Sequence, residues 1–217
     1  MRLKQKLKLI FLEIYLKIWL FKNRVRVKKI ISEEELNLAR NFAWRIYALE
    51  KKYIDSNFFP KKMFIDEFDK YSIYFGAFHN REIIGIVRLV LNSKLGFPIE
   101  KVYRLNPLQI DKKKIAEISR LIVIDNNLKK NVLTLALCEQ CVKESLLRGI
   151  THWYAFLPPK LKNYFEKKYG VSFIEIKYFP PTNKEQSYRK PYRFYFSKFD
   201  PKPYLISLEK TLENFRI

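Results

Sequence analysis

Glycine is scarce in this chain, with five among 217 residues, so there is little room for a glycine-rich phosphate loop. Cysteine is scarcer: Cys138 and Cys141 are the only two, which argues against a disulfide scaffold. Their Cys-x-x-Cys spacing meets neither a second cysteine pair nor a histidine cluster. Both fall inside Val132–Arg148, a helical pattern, so buried helix packing accounts for them better than zinc or redox chemistry. The two histidines are His79, in the turn His79-Asn80-Arg81, and His152, at the start of a strand; either is a minor candidate for a base. Long apolar runs are missing too. Residues 2–21 are broken by Lys4, Lys6, Lys8, Glu13 and Lys17, and no small-residue cleavage site follows. That excludes a spanning helix and a secretory signal.

Acidic residues are in deficit, 22 against 43 Lys and Arg, for a net charge of +21. Such a surface attracts nucleic acid, anionic lipid or an acidic carrier protein. The lysines are spread along the chain rather than gathered in one motif, which disfavours a nucleic-acid binder. Hydrophobic content of 48% and aromatic content of 16% fit a packed globule.

The order of elements is legible. Residues 1–22 read as an amphipathic helix with Leu3, Leu7, Ile10, Ile14, Ile18 and Phe21 on one face and Arg2, Lys6, Glu13, Lys17 and Arg24 opposite. Such a helix can lie on a membrane, cover its own domain or meet a partner copy. Residues 23–217 read as one domain. Val25–Ile31 is an edge strand. Ser32 and Glu35 form a capping box for a helix to about Tyr53. Tyr71–Phe78 and Ile83–Leu91 make a hairpin. Asn92–Ala116 is a long connection, a length that usually marks a functional loop. Glu117–Ile124 is a strand, Val132–Arg148 a helix capped by Asn131, and His152–Leu157 a buried strand. A short helix Lys160–Lys168, strands Val171–Tyr178 and Tyr192–Phe199, and a helix Tyr204–Asn214 follow. This pattern predicts an α/β (α+β) domain: a mixed, mostly antiparallel sheet of about seven strands, helices on both faces. The order matches the GNAT acyltransferase fold, in which the strands flanking the central helix, here Glu117–Ile124 and His152–Leu157, splay into a cleft.

Charges stand inside apolar stretches at four places. They are Arg45 within Phe42–Tyr47, Asp66-Glu67-Phe68-Asp69 before a strand, Arg88 within Ile83–Leu91, and Glu117-Ile118-Ser119-Arg120. A charge removed from water costs several kcal/mol unless it is paired or solvated in a cleft. The set therefore marks a polar site inside the fold, or a salt-bridge network that fixes the sheet.

Together these residues resemble the acyl-homoserine-lactone synthases and N-acyl amino acid synthases, including the exosortase-associated acyltransferases. The resemblance rests on Arg45, Asp66-x-x-Asp69, Gly85-x-x-Arg88-Leu89 and Glu117-x-Ser119-Arg120, over about residues 30 to 180. Gly96-Phe97-Pro98-Ile99-Glu100 is similar to the exosortase-associated branch. It implies transfer of a fatty acyl group from acyl carrier protein to a small-molecule amine, without a tightly bound cofactor. The lactone synthases take S-adenosylmethionine and the amino acid synthases a free amino acid. Tyr53–Phe58 stands where the former have a tryptophan-containing segment, and Arg45-x-x-x-Leu49 replaces their Arg-x-x-x-Phe, which favours an amino acid acceptor. An acyl-CoA-dependent GNAT N-acetyltransferase is the other enzyme reading, although the segment 125–131 lacks a glycine loop.

Amine attack on a thioester needs a proton acceptor, an oxyanion donor and close placement of the reactants. The expected catalytic residues are Glu117, Ser119 and Arg120, with backbone N–H groups near Ser119–Leu121 as oxyanion donors. Arg45, Asp66, Asp69 and Arg88 are expected to bind substrate. Leu121, Val123, Lys129, Lys130, Tyr154 and Phe156 are expected along the acyl-pantetheine; the lysines also fit a solvated surface run. Glu117 and Arg120 share a cleft only if the strand bulges between them, since a regular strand alternates its faces. The chain is expected in the cytoplasm, with residues 1–22 available to the inner membrane face.

Overall fold

Near-continuous apolar runs in Ser72–His79 and Glu82–Leu91 commit both segments to strands buried on two sides. The tight turn at Asn80-Arg81, both with positive φ, closes them into a hairpin. The computed structural model describes residues 3–124 and 128–215; residues 125–127 of the 125–131 connection, and Met1 and Arg2 of the helix expected over 1–22, lie outside these. In chain order the elements are α1 (Leu3–Lys22), β1 (Val25–Lys29), α2 (Glu33–Trp44), β2 (Ser72–His79), β3 (Glu82–Leu91), α3 (Pro98–Val102), β4 (Arg104–Leu105) and β5 (Ile115–Val123). There follow α4 (Lys130–Leu147), β6 (His152–Leu157), α5 (Pro159–Tyr169), β7 (Phe173–Glu175), β8 (Tyr178–Phe179), α6 (Asn183–Arg189), α7 (Arg193–Phe199), β9 (Lys202–Ser207) and α8 (Leu208–Asn214).

Seven strands form one sheet in the order β1-β2-β3-β5-β6-β9-β7, and β4 pairs with β8 apart from it. Among the described residues only β5 and β6 run parallel, and their ladder is short: Ile115↔His152, Ala116↔Trp153 and Glu117↔Tyr154. Beyond Glu117 the two strands diverge, giving the splayed, GNAT-like cleft. Core forms on both faces. Leu133, Leu137 and Cys141 of α4 pack on Phe75, Ala77 and Val87. Ala39, Phe42 and Ala43 of α2 pack on Tyr74, Phe78 and Ile86.

Several boundaries differ from expectation. Ser32 does cap α2, accepting from the Glu35 N–H at 3.2 Å, but the Glu35 carboxylate pairs with Lys28 instead of returning to the cap. The helix continues past Trp44 as a π-helical turn, Arg45–Glu50. Asn131 does not cap α4; Lys129 holds that position, and the Asn131 side chain accepts from the Tyr164 hydroxyl. Tyr192–Phe199 is helical rather than extended, and the last strand is Lys202–Ser207. The reason is tertiary: Tyr195 and Phe199, one turn apart, both pack on Tyr53, while Phe196 packs on Tyr103. The first helix also buries a different stripe from the one its periodicity suggested. Leu12 and Leu16 are buried against Val132 and Ala136, with Trp19 and Leu20 beside them, while Ile10, Ile14 and Ile18 are exposed.

Gly170 ends α5 with φ +70, and a Cβ there would lie 2.1 Å from the Asn214 carbonyl oxygen of α8. Gly170→Ala therefore meets both backbone strain and a collision, and is expected to destabilise the protein by about 1–3 kcal/mol. Urea unfolding checks this.

Candidate functional site

The four charged insertions converge, with one exception. Arg88 on β3 and Ser119 on β5 are direct cross-strand partners, and Arg88 Nε donates to Ser119 Oγ at 2.9 Å. Arg88 Nη1 donates to both Asp66 carboxylate oxygens at 2.8 Å and to Asp69 Oδ1 at 3.0 Å. Arg120 donates to Asp66 Oδ2 at 2.8 Å and Asp69 Oδ1 at 3.0 Å, contacts the Tyr74 hydroxyl, and lies 4.2 Å from the Phe64 ring centroid. These bonds neutralise two guanidiniums with two carboxylates. Burial acts to raise the Asp66 pKa, but Arg88 and Arg120 overcome it and hold the group below the usual carboxylate range.

The bulge required by strand geometry is present. The β3–β5 register passes from Ile86↔Ile122 to Arg88↔Ser119, so two β5 residues oppose Val87 alone. Arg120 takes φ +51 there, in the left-handed region. This turn brings Arg120 to the side shared by Glu117 and Ser119.

Arg45 is the exception. Its side chain is half exposed, 3.9 Å from Glu50, and lies over Phe42. The place expected for it is taken by Arg40, five residues earlier, whose Nε donates to Asp69 Oδ2 at 2.9 Å. Asp69 is engaged by Arg40, Arg88, Arg120 and Tyr74 together. It is a frame residue behind the cavity wall and does not line the cavity.

Glu117 is fully buried. Its Oε2 accepts the backbone N–H of Ile99 at 2.8 Å, whereas Oε1 has no hydrogen-bond partner among the described residues. Burial pushes its pKa up to about 8, against the Ile99 bond and the Arg88 charge, both of which favour ionisation. The segment Gly96–Glu100 thus does local work: Gly96 turns with φ +71, Glu100 accepts the Phe97 N–H at 2.9 Å, and Ile99 reaches Glu117.

Glu117 opens onto a cavity of about 1060 Å³. Residues 117–121 line it without a gap, facing Ala155, Phe156 and Leu157 across the splay. Asp66, Arg88, Ser119 and Arg120 make it polar near Glu117; Leu12, Leu135, Cys138, Val142 and Phe165 make it apolar on the α4 side. Tyr47, Tyr192 and Tyr195 complete the aromatic side. Of the residues expected along the acyl donor, Leu121 and Phe156 are on the wall. Val123, Lys129, Lys130 and Tyr154 are not: both lysines are exposed at the start of α4, and Tyr154, the register partner of Glu117, packs on Phe97. Neither histidine lines the cavity. Among the described residues no group of three His, Cys, Asp or Glu side chains could hold a metal.

Sequence reasoning missed Arg40, Tyr74 and the three tyrosines. Arg40 carried a readable signal, since it follows the buried Ala39 on the core-facing side of α2.

No curated protein sequence matches the chain. Solved structures share its fold. The CoA-dependent acyl-homoserine lactone synthase BjaI, solved with SAM and isopentyl-CoA, is 18% identical with a TM-score of 0.63, covering 87% of this chain and 86% of that one. FeeM, an N-acyl amino acid synthase from uncultured soil microbes, is 13% identical with a TM-score of 0.58, covering 88% and 93%. An acetyltransferase from Streptococcus agalactiae is 15% identical with a TM-score of 0.52, covering 85% and 98%. The family model described as N-acyl amino acid synthase FeeM matches residues 39–185, the stretch that holds the charged network, Glu117 and most of the cavity wall. The chain belongs to the N-acyl amino acid synthase FeeM family and is an N-acyltransferase.

Proposed function

We propose that this enzyme moves a fatty acyl group from the thioester of acyl carrier protein to the amine of an amino acid or related small molecule. The observation that carries this reading is the Glu117 carboxyl, buried and with Oε1 unpartnered, on the wall of a cavity whose other side is apolar. In this reading the acceptor enters as the neutral amine, and the ionised Glu117 takes one proton from its nitrogen as it attacks. The amine nitrogen bonds to the thioester carbon, the C–S bond breaks, and the thiolate leaves with the proton that Glu117 held. The β6-facing edge of β5 has no ladder partner beyond Glu117 and can accept the pantetheine arm as an added strand. Backbone N–H groups at Ser119–Leu121 face the developing oxyanion. Arg88, Arg120 and Asp66 hold this edge in shape and present charge to the acceptor. Leu121, Phe156 and Cys138 flank the acyl chain. The exposed Lys129 and Lys130, with a net charge of +21, suit an acidic carrier.

The test is incubation of the purified protein with acyl carrier protein thioesters or acyl-CoA and a panel of amino acids, read by mass spectrometry. A new N-acyl amino acid, formed faster from the carrier thioester and absent with Glu117→Ala, supports the reading. A lactone formed from S-adenosylmethionine, or faster transfer from CoA, overturns the acceptor or the donor respectively. Cys138→Trp is expected to fill the apolar arm, shifting preference to shorter acyl chains by about tenfold in kcat/KM. An unchanged chain-length profile would place the acyl group elsewhere.

A further inference from the structure

Helix α1 has two apolar stripes, and the fold uses one. Leu12 and Leu16 face α4. Leu7, Ile10, Phe11, Ile14, Ile18 and Phe21 form the other row, each between 47% and 86% exposed. At about 3.6 residues per turn these six fall within an arc of roughly 100°, with no charged residue among them. Lys17 borders one edge of the row and Lys22 the other, and both are exposed. Single exposed apolar residues are ordinary on a protein surface, but a continuous row of six large ones is an interaction face.

We propose that this outer face of α1 seats the enzyme on an anionic lipid bilayer, the helix lying parallel to the surface with the row at the acyl-chain boundary. Charge selects this occupant over a second copy. Two chains of +21 repel one another, and pairing their α1 helices would bring Lys17 and Lys22 of both together. Anionic headgroups complement the same lysines, with exposed Arg24 and Arg26 just beyond the helix. Position agrees. Leu12, on the inner face of the same helix, lines the cavity, so α1 stands between the apolar end of the cavity and the proposed bilayer. An N-acylated product is itself an amphiphile that partitions into lipid. The proposal goes beyond acyl transfer and uses none of the Glu117 chemistry.

The experiment is co-sedimentation of the full chain with vesicles of phosphatidylcholine alone or mixed equally with phosphatidylglycerol, at low and high salt. Wild type is expected to pellet with the mixed vesicles and to keep part of that binding at high salt. Ile10→Gln/Ile14→Gln/Ile18→Gln, at positions about half exposed and outside the packed core, is expected to lower the partition coefficient by at least about tenfold while retaining native circular dichroism. Its activity on a water-soluble short-chain thioester is expected to be unchanged, so loss of binding is separable from loss of the acyltransferase. Equal vesicle binding by the triple variant would overturn the proposal in favour of charge alone. Absence of wild-type binding, with a dimer in light scattering that the triple variant abolishes, would overturn it in favour of a second copy.

Discussion

Glu117→Gln is expected to lower kcat/KM by about a hundred- to ten-thousand-fold, the range for removal of a positioned general base. Glutamine keeps the shape and can still meet the Ile99 N–H through its carbonyl oxygen, but it takes up no proton. The pH profile separates this chemical role from a structural one. With the pKa pushed to about 8 by burial, the wild-type base is mostly protonated at neutral pH, so kcat/KM, taken per concentration of free amine, should climb until the pH passes about 8 and then level. In Glu117→Gln that climb should vanish. A wild-type profile flat from neutral to alkaline pH would remove Glu117 from the role of base. Release of free thiol from an acyl thioester measures both. Stability moves in the opposite sense. The fold retains the Glu117 proton up to about 8, whereas the ordinary carboxyl value is 4.5. This contribution to stability is full below 4.5 and is lost as pH rises toward and through 8. Urea midpoints of Glu117→Gln should lack that downward slope, since its side chain is neutral throughout.

Asp69→Ala is expected to be the most destabilising single change in the charged network, at about 3–5 kcal/mol, because it strands buried guanidiniums. Asp69 serves Arg40, Arg88 and Arg120 at once and also accepts the Tyr74 hydroxyl. Asp66 can compensate only Arg88 and Arg120, which it already holds. Arg45→Ala is the control, with an expected cost under about 0.5 kcal/mol, because its pair with Glu50 is long and half exposed. Chemical unfolding of both variants measures the contrast. Similar midpoints would mean that the network tolerates an unpaired charge.

These expectations mark which parts of the molecule can be read from its residues. The hairpin and the parallel β5–β6 pair follow from local periodicity and the turn at Asn80-Arg81. The convergence of Asp66, Arg88, Ser119 and Arg120 follows from the cost of burying charge, because each needed a partner and the others were the candidates. The bulge was derivable as a condition: Glu117 and Arg120 cannot share a face without one. Its location opposite Val87 was not, since it depends on a register set by two strands together. Arg45 and Arg40 were not separable by composition. Each sits beside apolar neighbours on one helix, and the π-helical turn beginning at Arg45 rotates the last stretch of that helix away from a regular phase. The aromatic run Tyr192–Phe199 misled for a related reason. Aromatics favour strands on average, but the i,i+4 pair Tyr195 and Phe199 had a distant partner, Tyr53, that no local rule supplies.

The bulged strand also acts as a phase shifter. Side chains alternate strictly along a strand, so one extra residue reverses the facing of everything after it. Ile122 lies against Ile86 and Tyr74 on the α2 side because Arg120 spends one position turning. Drawing Arg120 into the regular ladder would therefore do more than move a charge. With every residue kept and the bulge lost, Leu121, Ile122 and Val123 would each turn to the opposite side, emptying one core while crowding the other, whereas deletion of Arg120 would leave all three on their present sides. The cavity wall and the two hydrophobic layers are thus indexed to the same single residue.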